Sequence, residues 1–375
     1  MTTFRHRKTE GPGTHVFIIG VGDYPYLKDG SGRTSPDHRE MGQLTSPPVS
    51  AMAMLKWVDS TLYNPDAPLK SIEVLISQDG QATYKDADGL SQHIDPATWV
   101  NYEASALAWK TRASSDPKNV AIFYFSGHGL GNGVNTYLLT QNAGHSANLL
   151  RDAFQVNALR LAMRDCIALN QLYLIDACRT LDLAVVLDPN EISQSGLQTP
   201  SVLTVFKGAN PVLYAAQMDK QAYGAPGQVS IFTAALLDGL NRCAVFRVNN
   251  QRWAVAPLQL QQTIAAIMDE STDGPACPAD GLSGMGFPIH VLKSVPEVLI
   301  HVRLDNVDVH PSAEISYTSP SLRKVRPDLS HPWRTFVPHG QCSVAALFQP
   351  GTNLTSEPQD IFLVPPFQNI TLEVV

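Results

Sequence analysis

The chain is short of the features that mark several large classes of protein. It has five cysteines in 375 residues, an odd number without a Cys-x-x-Cys pair, which argues against a disulfide framework or a thiolate zinc site and fits a reducing compartment. Long apolar runs are missing too. The first run, residues 16–21, is far too short for a membrane span or a secretory leader, and the stretch before it is polar. A cytoplasmic protein is therefore expected, so the Asn-x-Thr sequons at Asn353 and Asn369 read as chance matches. Basic charge is also scarce. Lys and Arg number 27 against 34 Asp and Glu, for a formal charge of −7, and the one tight basic cluster, Arg323-Lys324-Val325-Arg326, reads as a solvated turn. No nucleic acid or membrane partner is expected. Cofactor motifs are incomplete: Gly20-Val21-Gly22 lacks the third glycine of a dinucleotide fingerprint, and the glycines of 127–133 lack the Lys-Ser/Thr of a phosphate loop. Val307-Asp308-Val309-His310 has no partner set for a metal, and no EF-hand run occurs. No cofactor and no metal is expected.

What the chain does have, through three quarters of its length, is alternation. Apolar runs at 15–21, 72–77, 120–125, 172–176 and 212–216 have the pattern of strands buried on both faces of a parallel sheet. Between them lie helical patterns: one opened by Ser46 and Pro47, one opened by Asp95-Pro96 with Trp99, Tyr102, Ala106 and Trp109 on one face, one over 157–169, one capped by Ser230 and one over 257–268. The fold class is α/β, a mostly parallel sheet flanked by helices. From about residue 295 the pattern changes to short alternating segments broken by Pro, Asn, Asp and Gly, which predicts a small all-β, sandwich-like domain. The expected division is 1–292 and 293–375. Long loops are expected at 27–45 and 180–210.

Two runs end in chemistry. Phe123-Tyr124-Phe125 breaks into Ser126-Gly127-His128-Gly129, and Leu172-Tyr173-Leu174-Ile175 breaks into Asp176-Ala177-Cys178-Arg179, with the histidine about 50 residues before the cysteine. A thiol is mostly protonated near neutral pH, and a neighbouring imidazole is the usual means of activating it. In open parallel sheets ligands collect at the carboxyl ends of strands, where both residues stand. His128 and Cys178 are the candidate catalytic dyad of a cysteine peptidase. If the strand persists to Cys178, Asp176 shares its face. Asp23, closing the first strand in Gly22-Asp23-Tyr24-Pro25, reads equally as an acidic wall or a turn former.

On these motifs the chain resembles the caspase-like cysteine peptidases, the group of caspases, metacaspases, paracaspases and their bacterial relatives, over roughly residues 15–245. Residues 211–217 and Ser230-Ile231-Phe232-Thr233 also look like that family's later strand and helix. The resemblance implies the first strand beside the third and the third beside the fourth. It implies peptide hydrolysis through a thioester, with His128 protonating the leaving amine and an oxyanion hole at the N–H groups of Gly129 and Cys178. Caspases that accept Asp carry Gln two residues before the nucleophile, whereas metacaspases carry Asp there and cleave after Arg or Lys. Asp176, with Asp23 as a second wall, therefore implies a basic P1 residue. Thr180 departs from the Gly often found two residues after the nucleophile. Family members are commonly latent enzymes in defence or cell-death cascades, and some need calcium. Lys207 is the basic residue of the 180–210 loop and the expected processing site for the enzyme itself or an upstream protease. The remaining partners implied are peptide substrates and a regulator. The alternatives are a catalytically silent scaffold, a peptidase with Asp at P1, and a hydrolase of non-peptide acyl substrates.

Overall fold

The apolar runs become the middle of a seven-stranded sheet in the computed structural model, which describes all residues except 1–2, 8, 37, 87–88, 147, 182–193, 201–205, 218–223, 249–251, 269–276, 283–285 and 328–331. Its strands are β1 (Thr3–His6), β2 (Thr14–Val21), β3 (Leu69–Ser77), β4 (Val120–Gly127), β5 (Asn170–Ala177), β6 (Val212–Tyr214) and β7 (Ala279–Asp280). They lie in the order β1-β3-β2-β4-β5-β6-β7, parallel from β3 to β6 and antiparallel at both edges. The expected neighbours, first strand with third and third with fourth, are β2 with β4 and β4 with β5.

Alternation of side chains along these strands supplies two cores. Val16, Ile18, Ile122, Tyr124, Leu172 and Leu174 face one way, against helices α1 (Ser46–Ser60), α4 (Ile231–Asp238) and α5 (Pro257–Met268). Phe17, Ile19, Phe123, Phe125, Tyr173 and Ile175 face the other way, against α2 (Trp99–Ala113) and α3 (Val156–Ala162). Each such side chain taken fully out of water contributes about 1.5–3 kcal/mol, so burial on both faces explains why these strands lack polar alternation.

Three local expectations are revised. The polar N-terminus supplies an edge strand, β1, held to β3 by Thr3 Oγ1 donating to Glu73, while Arg5 pairs with Asp59 and Arg112 pairs with Glu73. The residue capping α1 is Thr45 rather than Ser46. The helix expected over 157–169 ends at Ala162, because Gln171 donates to the carbonyls of Met163 and Ala168 and draws the chain into β5.

The C-terminal region is all-β. One sheet holds β8 (Glu297–Leu304), β11 (Trp333–Pro338) and β14 (Phe367–Leu372), in the order β11-β8-β14. The other holds β9 (Ala313–Thr318), β10 (Arg323–Val325), β12 (Gly340–Phe348) and β13 (Gln359–Leu363), in the order β10-β9-β12-β13. Val298, Ile300 and Val302 from the first and Ile315, Tyr317 and Val344 from the second form a third core, a sandwich arrangement.

Candidate active site

β4 and β5 run side by side with Ser126 opposite Asp176 and Gly127 opposite Ala177. Beyond them the two chains pair again, Leu130 with Thr180 and Gly131 with Leu181, in a small second sheet that continues through strands Thr136–Leu139 and Ala153–Gln155. His128 and Cys178 occupy the bend between the two pairings. Gly129 is needed at this bend, since a Cβ there would lie 2.4 Å from the Cys178 carbonyl oxygen and 3.0 Å from the Ala177 Cβ. Both His128 and Cys178 line one cavity of about 580 Å3, with Ser126, Asp176 and Ser230 in its wall.

The imidazole is held from two directions. Its Nε2 donates to the Gly42 carbonyl at 2.7 Å. A carbonyl only accepts, so Nε2 carries the proton and Nδ1 is the basic nitrogen of the neutral ring. The His128 backbone N–H donates to the buried Tyr24 hydroxyl at 2.8 Å, and the Tyr24 ring lies 4.8 Å from the imidazole, centroid to centroid. Burial lowers the His128 pKa below its ordinary value, with the Gly42 bond opposing, so the ring is neutral near pH 7. Gln43 fastens the segment bearing Gly42: its amide donates to the carbonyls of Tyr24 and Lys28 at 3.0 Å each, and its oxygen accepts from the Tyr24 N–H at 2.8 Å.

Among the five free cysteines Cys178 is the one that is not buried. Burial pushes the thiols of Cys243 and Cys277 up to about 12 and that of Cys342 up to about 11, which makes them inert near neutral pH.

Asp176 lies in the cavity wall yet is only 4% exposed. Hydroxyls of Ser230 (2.5 Å), Thr233 (2.8 Å), Ser126 (3.1 Å) and Tyr124 (3.4 Å) all donate to its Oδ2. Burial raises the carboxyl above the ordinary carboxylate range, and the four hydroxyls offset part of that rise. Ser230 is also the cap of α4, accepting from the Thr233 N–H at 3.0 Å, so the start of that helix and the cradle of Asp176 are one structure.

The other candidates lie elsewhere. Asp23 is half-buried, accepts from the Gln141 amide at 2.7 Å, and is not among the residues lining the cavity. Arg179 is buried, donates from Nε to Thr136 Oγ1 at 3.0 Å and stacks 3.9 Å over the Tyr214 ring, a packing role. Lys207 is exposed and stands two residues before Ala209, which pairs with Leu169 and Gln171 at the start of β5. It therefore sits at the end of the sheet away from Cys178. Among the described residues no group of three or more His, Cys, Asp or Glu is placed to hold a metal ion.

The sequence reading missed the Gly42 carbonyl, Tyr24, Gln43 and the four hydroxyls around Asp176. Tyr24 and Ser126 adjoin residues singled out for other reasons. A backbone carbonyl on a loop carries no sequence signature at all.

With this geometry in hand, residues 101–255, which hold both motifs, match the family model of the caspase domain. The caspase domain is of cysteine-peptidase type, and this chain shares its mostly parallel sheet flanked by helices. Among individual proteins, the chain is 26% identical to the uncharacterized protein y4kE of Sinorhizobium fredii (strain NBRC 101917 / NGR234) over 311 residues, 80% of this chain and 87% of that one. Among solved structures it is similar to caspase-1 from Spodoptera frugiperda, with a TM-score of 0.46 at 11% identity over 76% of this chain and 92% of the other. It is similar also to protein GSU0716 from Geobacter sulfurreducens, with a TM-score of 0.42 at 12% identity over 76% and 94%. Among the described residues no helix is long and apolar enough to cross a membrane.

Proposed function

We propose that this protein is a cysteine endopeptidase that cleaves after Arg or Lys, with Cys178 as nucleophile and His128 as its proton carrier. The thiol proton passes to Nδ1, the sulfur attacks the scissile carbonyl, and the tetrahedral oxyanion forms beside the N–H groups of Gly129 and Cys178. His128 then protonates the departing amine, and water resolves the thioester to a carboxylic acid and free thiol. Leu139 N–H donates to His128 O, which makes Gly129 and Leu138 a non-hydrogen-bonded antiparallel pair. The Gly129 N–H therefore points away from that neighbour, on the Cys178 side. Preorganised donors of this kind typically contribute about 3–4 kcal/mol to barrier lowering.

The observation that carries the specificity is the place of Asp176: a carboxyl cradled by hydroxyls at Oδ2 in the wall of the cavity that holds Cys178. A guanidinium or ammonium pairs with a carboxylate in that wall, whereas an acidic side chain would be repelled by it. Asp23, bonded to Gln141, is a minor contributor at most.

On this reading the enzyme is latent in the cytoplasm within a defence or cell-death type cascade, processed at Lys207, and residues 293–375 recruit substrate or activator. Profiling of a peptide library with wild type and Cys178→Ala tests the reading. Cleavage after Arg and Lys that disappears in the variant is expected. Cleavage after Asp would overturn the role of Asp176, and absence of both cleavage and labelling of Cys178 by a peptidyl-Arg electrophile would leave a scaffold.

A further inference from the structure

The outward face of the sheet β11-β8-β14 carries charge, whereas its inward face carries Val298, Ile300 and Val302. Strand register places Arg334, His301 and Asn369 in one row across the three strands, with Leu299 beside Phe367 and Arg303 beside Thr371 in the flanking rows. This face looks onto α5, and between them lies a second cavity of about 520 Å3 that Gln261 and Gln262 also line. None of its lining residues is acidic. In a chain of net charge −7, such a wall is opposite in sign to the molecule around it. Both guanidiniums are hydrogen-bonded within this region: Arg303 Nε donates to Thr371 Oγ1 at 3.2 Å, and Arg334 Nη1 donates to the Ala266 carbonyl in α5 at 2.9 Å. In the row next to His301, Phe367, 37% exposed, offers an apolar surface beside the buried Leu299.

We propose that this cavity binds a small phosphate-bearing ligand, with the phosphate held by Arg303 and Arg334 and a flat or apolar part lying on Phe367. Planar guanidinium forks match phosphate oxygens in pairs, which ammonium groups do not. The volume falls in the range of small-ligand sites, about 300–1,000 Å3, and the amides of Asn369, Gln261 and Gln262 provide both donors and acceptors for the remainder of the ligand. The site shares no lining residue with the Cys178 cavity and stands independently of the peptidase reading.

The test is calorimetric titration of the full-length Cys178→Ala protein, which excludes self-cleavage, with pyrophosphate and with ATP. Both should bind, ATP more tightly, and both should raise the thermal midpoint. Arg303→Ala, an exposed position, should weaken both by about tenfold. Phe367→Ala should weaken ATP and leave pyrophosphate unchanged, and Arg323→Ala, on the other sheet, should change neither. Failure of both probes to bind at millimolar concentration, affinity indifferent to Arg303→Ala, or an equal loss in Arg323→Ala would overturn the site.

Discussion

His128 and Cys178 stand at matching positions of two segments that are paired on either side of them, Gly127 with Ala177 before and Leu130 with Thr180 after. The register carries through the bend, so the reacting groups are placed by backbone pairing rather than by loop conformation. Cys178→Ala and His128→Ala should each lower kcat/KM on Arg peptides by about a thousandfold or more while leaving thermal stability nearly unchanged. Initial-rate assays alongside thermal melts check this.

Gly129 is the second consequence of that bend. A methyl group 2.4 Å from the Cys178 carbonyl oxygen cannot be accommodated without moving backbone. Gly129→Ala should cost roughly 1–3 kcal/mol of stability and should lower kcat more than it raises KM, since the displaced groups are the proposed nucleophile and oxyanion donor. Denaturant titration and steady-state kinetics separate the two effects.

Asp176→Asn keeps an acceptor for the surrounding hydroxyls and removes the charge. It should lower kcat/KM for Arg peptides by roughly 30- to 1,000-fold, the loss expected when one partner of a buried charge pair is removed. Labelling of Cys178 by a small uncharged alkylating agent should be little changed, which distinguishes lost substrate pairing from lost nucleophile.

The pH profile follows from the direction of the Asp176 shift. Burial holds its carboxyl above the ordinary range, so it gains a proton earlier than an exposed aspartate as pH falls. Turnover of Arg peptides should therefore decline on the acid side through that raised pKa, and Asp176→Asn should remove this limb. For folding the sign is the reverse of a salt-bridged aspartate: the group favours the native state below its unfolded pKa, and that contribution is lost as pH rises through the folded value. Chemical denaturation of wild type and Asp176→Asn across pH 4–7 reads the difference.

Lys207 lies at the start of β5 and Cys178 just past its end, a separation of about 26 Å for eight residues at 3.3 Å each. Processing at Lys207 by the protein's own cavity should then be bimolecular, its fractional rate rising with protein concentration, and Lys207→Ala should remain intact and less active. Equal activity of an intact Lys207→Ala chain would remove the processing step.

The strands bearing His128 and Cys178 were legible because burial on both faces demands continuous apolar runs, and those runs stop where the chemistry begins. The α4 cap was legible because Ser230 has one local task. Its second task, donating to Asp176, was hidden: the cradle draws on Tyr124, Ser126, Ser230 and Thr233 from segments brought together only by β4, β5 and α4. The helix ending at Ala162 was overextended because Met163, Cys166 and Ala168 are buried by the following turn as thoroughly as a helix would bury them. β1 escaped notice because an edge strand with ion pairs on its margin has no apolar run to show.

The Gly42 carbonyl fixes which imidazole nitrogen is basic, yet it belongs to neither reacting strand and is moored by Gln43 to Tyr24 and Lys28. The proposed base and the group that sets its tautomer are thus carried by separate segments. Sliding the 39–45 stretch aside would free the ring to rotate and exchange tautomers, disarming the thiol while both reacting side chains stayed chemically intact.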